Sequence, residues 1–227
     1  GCVKQYGPDL PRRMADFVES LGRTEVTDFF INVNTQRTNY RSDVWESWWD
    51  GYDPEGGDDQ PFFEGIDPKR AFERGWARDA MSLHLEGYDY GQHLIANARR
   101  HGLAPWISLR MNDSHKPNSP KHPYHSTFWK EHPEWRLQDK ALDYAMPEVR
   151  DHYMALVQEV CQRYDMDGLE LDFMRFPTYF RPGQEHRGKQ LITAFVRQTR
   201  KLTRQAAARR GHEVKLAVRV PSRPWIA

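Results

Sequence analysis

The chain reads as an α/β protein forming part of a (β/α)8 barrel, with about four βα units and long loops at one face. Three observations predict this. Four strand-like segments, DFFINVN (28–34), APWISLRMN (104–112), GLELDFMRF (168–176) and VKLAVRV (214–220), alternate with helix-like ones, the pattern of parallel βα units. Each strand keeps one apolar and one polar parity; the polar sets are Asn32 and Asn34, Ser108 with Arg110 and Asn112, Glu170 and Asp172, and Lys215 and Arg219. A helix layer over both faces of an open sheet would leave those charges buried at high cost, whereas a barrel gathers them in its lumen. Finally, the long segments 35–80 and 113–146 both follow strand C-termini, the end that carries the active site in such barrels.

The helices are legible in order. LPRRMADFVESLG, YGQHLIANARRHG and KQLITAFVRQTRKLTRQAAARRG each reach a glycine, Gly22, Gly102 or Gly211, where a helix C-cap favours one. In PEVRDHYMALVQEVCQRYD, Pro147 suits the first turn, Glu148 the positive helix end, and Val149, Tyr153, Leu156, Val157, Val160 and Tyr164 form one apolar stripe. The two long segments are too aromatic for disorder: Trp45, Trp48, Trp49, Tyr52, Phe62 and Phe63 stand in the first, and Phe128, Trp129 and Trp135 in the second. The cluster of Trp45, Trp48 and Trp49 has two readings, a stacking platform for sugar rings or a small core private to the insertion.

Bulk properties narrow the partners. The 227 residues, 38% hydrophobic and 13% aromatic, suffice for a single domain over 1–227. Lys and Arg total 33 against 32 Asp and Glu, a net charge of +1, so no overall field recruits nucleic acid or a membrane surface. The run Arg197, Arg200, Lys201, Arg204, Arg209 and Arg210 reads as the solvated face of an outer helix. No apolar run approaches a membrane span. Cys2 and Cys161 are too few for a disulfide framework; Cys161 reads as a buried thiol on a helix. DGYDPEGGDD is acidic but lacks calcium-loop spacing. GCVKQYGPDL has no signal-peptide regions, yet the first residue is not Met; the compartment stays open, with the cytoplasm slightly favoured and secretion allowed by an upstream leader. The chain ends seven residues after the last strand-like segment, and its first helix suggests a strand before Gly1. The expectation is therefore a piece of a longer protein, with the remaining barrel supplied by missing sequence or an oligomer.

WISLRMNDSH (106–115), FWKEHPEW (128–135), PEVRDHY (147–153) and RYDMDGLELDFMRFP (163–177) together resemble the bacterial family 10-like glycosyl hydrolases. The most specific element is DGLELDFMRFP, similar to that family's Asp-Gly-apolar-x-apolar-Asp strand followed by Arg and Pro. The resemblance runs over most of residues 28–220. It implies a TIM barrel and a carbohydrate-linked role.

The residues themselves supply the chemistry. Glycoside hydrolysis usually uses two carboxyl groups flanking the scissile bond. Glu170 and Asp172 share a strand face about 7 Å apart along the chain, from a rise of roughly 3.4 Å per residue. Two acids on one strand sit at different depths, which suits them poorly to straddling a substrate. Asp172, nearer the mouth, is the candidate nucleophile or base, and Glu170 is expected to orient Arg110 or Arg219. The second catalytic group is sought in Asp113 and His115, just past the second strand. Asn32, Asn34, Arg110, Asn112, Arg175 and Arg219 are candidates for holding sugar hydroxyls. No cofactor or metal is expected, and the partner is a carbohydrate. Two other classes stay open: a metal-dependent sugar isomerase or lyase with Glu170, Asp172, Asp113 and His115 as ligands, and a non-catalytic carbohydrate-binding barrel.

Overall fold

The computed structural model describes residues 9–222; Cys2, the stretch 223–227 and any strand before Gly1 lie outside the described residues. Four parallel strands, β1 (Asp28–Asn32), β2 (Ala104–Arg110), β3 (Gly168–Asp172) and β4 (Lys215–Arg219), form one sheet in the order β1-β2-β3-β4. Each successive pair is joined through helix, as parallel strands require. Before β1 lies α1 (Leu10–Gly22); between β1 and β2 lie α2 (Arg74–Leu85) and α3 (Tyr90–Arg100); α4 (Thr127–Glu131) and α5 (Pro147–Arg163) precede β3, and α6 (Glu185–Arg210) precedes β4.

The two strand parities have separate fates. Ile31, Ile107, Leu109, Leu169 and Leu171 join the core with Leu94, Ile95 and Ala98 of α3, the stripe of α5 and Phe195 and Ala206 of α6. On the other parity the register stacks three rows across the sheet. Phe30, Trp106, Gly168 and Lys215 form the first, Asn32, Ser108, Glu170 and Ala217 the second, and Arg110, Asp172 and Arg219 the third, at the strand C-termini. Cys161 is buried on α5, and burial pushes its thiol up to about 12.

Three strands stop earlier than their apolar pattern suggests, for local reasons. Asp172 Oδ1 accepts the backbone N–H groups of Met174 (2.9 Å) and Arg175 (3.2 Å). That turn ends β3, so Met174 leaves the Glu170 face and is exposed. Past β1, the Asn34 side chain replaces main chain in the ladder, accepting from Arg110 N–H and donating to Arg110 O. Beyond β2, Asn112 pairs instead with the loop before α5, accepting from Leu142 N–H and donating to Leu142 O.

The segment expected as the loop 35–80 is partly helical. It holds 3-10 turns at Pro61–Phe63 and Pro68–Glu73 and the first half of α2. The helix was illegible because only Ala77 of RGWARDAMSLHL is buried, leaving no apolar stripe to read. Buried polar groups tie this segment down. Glu159 of α5 accepts from Tyr40 Oη, Ser42 Oγ and Asp43 N–H, each at 2.6 Å, and Arg37 donates to the carbonyls of His125 (3.3 Å) and Asp50 (2.8 Å).

Two details of the helix ends differ from their expected form. Gly211 and Gly102 adopt left-handed φ of 75°, as C-terminal glycines do. Gly22 does not; a Cβ there would lie 2.7 Å from Cβ and O of His101, so the glycine permits close approach of α1 to the end of α3. The basic run on α6 is only partly solvated. Arg209 and Arg210 donate to Cys161 O, and Arg210 also to Gln162 O, placing cations at the C-terminus of α5. No helix among the described residues is long and apolar enough to cross a membrane.

Candidate active site

The strand C-termini carry a charged row built from β2, β3 and β4. Glu170 is buried, with Oε1 accepting from Ser108 Oγ (2.7 Å) and Arg219 Nη2 (2.9 Å) and Oε2 accepting from Arg219 Nε (3.0 Å). Its partner is thus Arg219 in a two-toothed pair, and not Arg110. Asp172 is one layer nearer the mouth and also buried. Its Oδ1 is occupied by the turn, while its Oδ2 lies 3.6 Å from Arg219 Nη1, beyond hydrogen-bonding distance.

A second cluster stands beside it on the segment after β2. Arg110 Nη1 donates to Asp113 Oδ2 at 3.0 Å. Asp113 Oδ1 accepts from the His115 backbone N–H (3.1 Å) and meets His115 Nδ1 at 2.5 Å. Burial by itself would raise the Asp113 carboxyl; the hydrogen bonds from His115 and the charge of Arg110 outweigh it, holding the group below the usual aspartate value. On the far side of the imidazole, Arg175 Nη2 lies 2.8 Å from His115 Nε2. A guanidinium has only donors to offer, so Nε2 presents its lone pair and the proton sits on Nδ1, facing Asp113. Phe176 packs edge-on to the ring (4.9 Å, 84°).

The remaining candidates separate into accessible and committed groups. Asn32 donates to Ser108 O (3.1 Å) and lines the cleft. Asn34 and Asn112 are engaged within the protein: both are fully buried, with their amide nitrogens and oxygens bonded to backbone. Their amides close the sheet's end, because a buried polar group must find partners within the protein.

A cleft of about 1190 Å³ opens from this mouth, with Arg110, His115 and Arg175 at one end and Trp48, Trp49 and Trp76 along its side. Trp48 is buried edge-on against Trp76 (6.1 Å) and Tyr124 (4.6 Å). Trp49 stacks on His84 (5.1 Å, 21°) beneath Arg41. Both indoles therefore belong to a local core and contribute only a margin to the cleft. Tyr124 and Trp76, which join that core to His115, were missed by sequence reasoning; a loop tyrosine carries no periodic signal. Among the described residues no three His, Cys, Asp or Glu side chains form a group that could hold a metal. Glu170, Asp172, Asp113 and His115 are engaged as two separate clusters.

A search of proteins with curated functions finds no match. Among solved structures, the chain is similar to alpha-L-fucosidase isoenzyme 2 from Paenibacillus thiaminolyticus (15% identity, TM-score 0.46, 94% of this chain and 30% of that one). It is similar also to the GH36 alpha-galactosidase AgaA from Geobacillus stearothermophilus (11% identity, TM-score 0.42, 92% of this chain and 26% of that one). A hypothetical protein from Ruminiclostridium thermocellum matches at 14% identity and TM-score 0.44, over 91% of this chain and 90% of that one. The chain thus spans about a third or less of the two glycosidases. The family described as glycosyl hydrolase-like 10 matches residues 73–212, more than half of the sequence and the stretch holding β2, β3, Glu170, Asp172 and the Asp113–His115 pair. On that match the chain belongs to the glycosyl hydrolase-like 10 family.

Proposed function

We propose that this chain supplies the catalytic face of a glycoside hydrolase built on a partial (β/α)8 barrel and acting on a carbohydrate. The observation that carries the proposal is the asymmetry of Asp172. Two backbone N–H groups fix Oδ1, whereas among the described residues Oδ2 has only a distant Arg219. A carboxylate fixed by one oxygen presents the other in a defined direction, which a nucleophile, or a group stabilising an oxocarbenium-like transition state, requires. Glu170 acts through Arg219, holding that guanidinium beside Asp172. The Asp113–His115 pair is the proposed partner for proton transfer, its imidazole oriented as in a general base. Asn32, Arg110 and Arg175 are the proposed contacts to sugar hydroxyls, with Trp48 and Trp49 at the cleft's margin.

Asp172→Asn tests this. The amide preserves shape but removes the charge, so turnover on a responsive glycoside is expected to fall by at least about 100-fold with the fold retained by circular dichroism. Rates within about threefold of the unsubstituted protein would remove Asp172 from the mechanism. One observation favours a second reading, a non-catalytic carbohydrate-binding barrel: the Asp172 turn is also how an aspartate ends a strand structurally. In that case sugars bind, no glycoside in a broad panel is cleaved, and Asp172→Asn lowers stability alone.

A further inference from the structure

We infer that Arg175 is a latch on His115, opened by an oxyanion-bearing saccharide such as a uronic or sulfated sugar. The inference rests on the glycosidase reading for its meaning, but its geometry stands independently. Four other guanidiniums around the mouth and cleft have a carboxylate: Arg110 with Asp113 (3.0 Å), Arg219 with Glu170 (2.9 Å), Arg41 with Asp50 (2.6 Å) and Arg163 with Asp89 (2.7 Å). Arg175 has no ion pair within 4 Å among the described residues; it is exposed, its ring contact is Phe176, and its acceptor is the neutral lone pair of His115 Nε2.

Exchange of that acceptor for an anion is favourable on general grounds. One hydrogen bond from a cation to a neutral nitrogen gives way to as many as two parallel bonds between opposite charges, which add Coulomb attraction to the hydrogen bonding. A planar guanidinium suits such two-toothed contacts. The motion needed is confined to the side chain, because the Arg175 backbone N–H stays fixed on Asp172 Oδ1. His115 cannot follow, held by Asp113 at Nδ1 and by Phe176 at its edge.

The consequence couples recognition to chemistry. With Arg175 in place, both nitrogens of His115 are engaged and neither can exchange a proton with a ligand. Once an acidic sugar draws Arg175 away, Nε2 faces the cleft with its lone pair free, backed by Asp113, and can accept a proton. Arg175 is therefore a specificity-determining and positioning residue: a neutral sugar leaves the imidazole capped.

The test needs no turnover, so it can fail or succeed separately from the glycosidase reading. Imidazole nitrogen NMR on the isotope-labelled full chain, with His115 assigned through His115→Gln, is followed during titration with glucuronate, galacturonate and a sulfated galactose, and with glucose and galactose as neutral probes. An acidic probe is expected to shift the His115 Nε2 resonance while Nδ1 stays protonated, and the neutral sugars to leave it in place. Arg175→Met should show the shifted resonance without ligand and bind acidic and neutral probes alike, and Arg175→Lys should recover only part of the preference. A response to the sulfated sugar alone supports the latch with sulfate as its anion. The inference is overturned if no acidic probe moves the resonance, or if Arg175→Met keeps full preference for acidic sugars.

Discussion

The side-chain amide of Asn34 pairs with both main-chain groups of Arg110, accepting from its N–H and donating to its carbonyl, each at 3.0 Å. It adds one rung beyond the end of β1 and fixes the backbone from which Arg110 reaches Asp113. Replacement by Leu would leave two partly buried backbone groups of Arg110 unpaired, each costing about 1–3 kcal/mol. Asn34→Leu is therefore expected to lose about 2–4 kcal/mol in urea unfolding. A loss of sugar affinity without loss of stability would instead restore Asn34 to a ligand-binding role.

Asn34 also shows where reading the sequence ends. The alternation that puts Ile31, Leu109 and Leu171 in the core and Arg110 and Asp172 on the opposite face has a fixed period of two and survives folding unchanged. Strand ends and polar partners are decided differently. An asparagine amide satisfies a sugar hydroxyl or a backbone pair equally well, and only the spatial neighbour settles which; for Asn34 and Asn112 that neighbour is main chain. Glu170 had two arginines in reach by sequence, and the β3–β4 register together with side-chain reach gave it Arg219. The Asp113–His115 contact was close to legible, being only two residues long. Its Arg175 cap, 60 residues away, was not.

The tryptophans offer a separable test. Trp48 and Trp49 are 8% and 4% exposed, so either Ala substitution is expected to cost about 3–5 kcal/mol in chemical unfolding. Trp48→Phe and Trp49→Phe retain an aromatic face and most of the volume; each should leave sugar titrations within about twofold of the unsubstituted protein. Strong loss of sugar binding in a Phe variant of unchanged melting temperature would mean that the indole itself contacts the ligand.

Acid should destabilise the fold in two stages. His152 lies between Trp45 (4.2 Å) and Phe128 (3.8 Å) in parallel stacks, and burial lowers its imidazole to about 3. An unfolded histidine titrates near 6.5, so between those values the unfolded chain binds the extra proton and stability falls as pH falls, by at most about 1.4 kcal/mol per unit for this group. His125, lowered to about 4 by burial, adds to the same window. Asp165 acts later: Arg99 and His212 hold it at about 2, so its contribution is lost only below about pH 4. His152→Gln should reduce the slope of the stability profile between about pH 6.5 and 3 and leave the slope below about pH 3, which Asp165 carries, unchanged. An unaltered slope in urea titrations across that window would show that His152 does not carry it.

The floor beneath the charged row depends on a glycine. Trp106 of β2 lies across Gly168 of β3, where an added Cβ would stand 2.1 Å from the indole. The ring cannot easily retreat, since its Nε1 donates to Asp28 Oδ1 at 2.7 Å and its face stacks on Phe30 at 5.1 Å. Gly168→Ala should therefore force the indole or β3 to shift, at a cost of about 1–3 kcal/mol. Because Gly168 is two residues before Glu170 on the same face, any shift of β3 also moves the Glu170–Arg219 pair. Trp106→Leu removes the clash, so in the double variant the Gly168→Ala penalty should shrink to within about 0.5 kcal/mol of zero, a non-additivity that a double-mutant cycle in urea measures directly. Additive losses would show that the alanine is resisted by the backbone of β3, and that Trp106 is not what demands a glycine there.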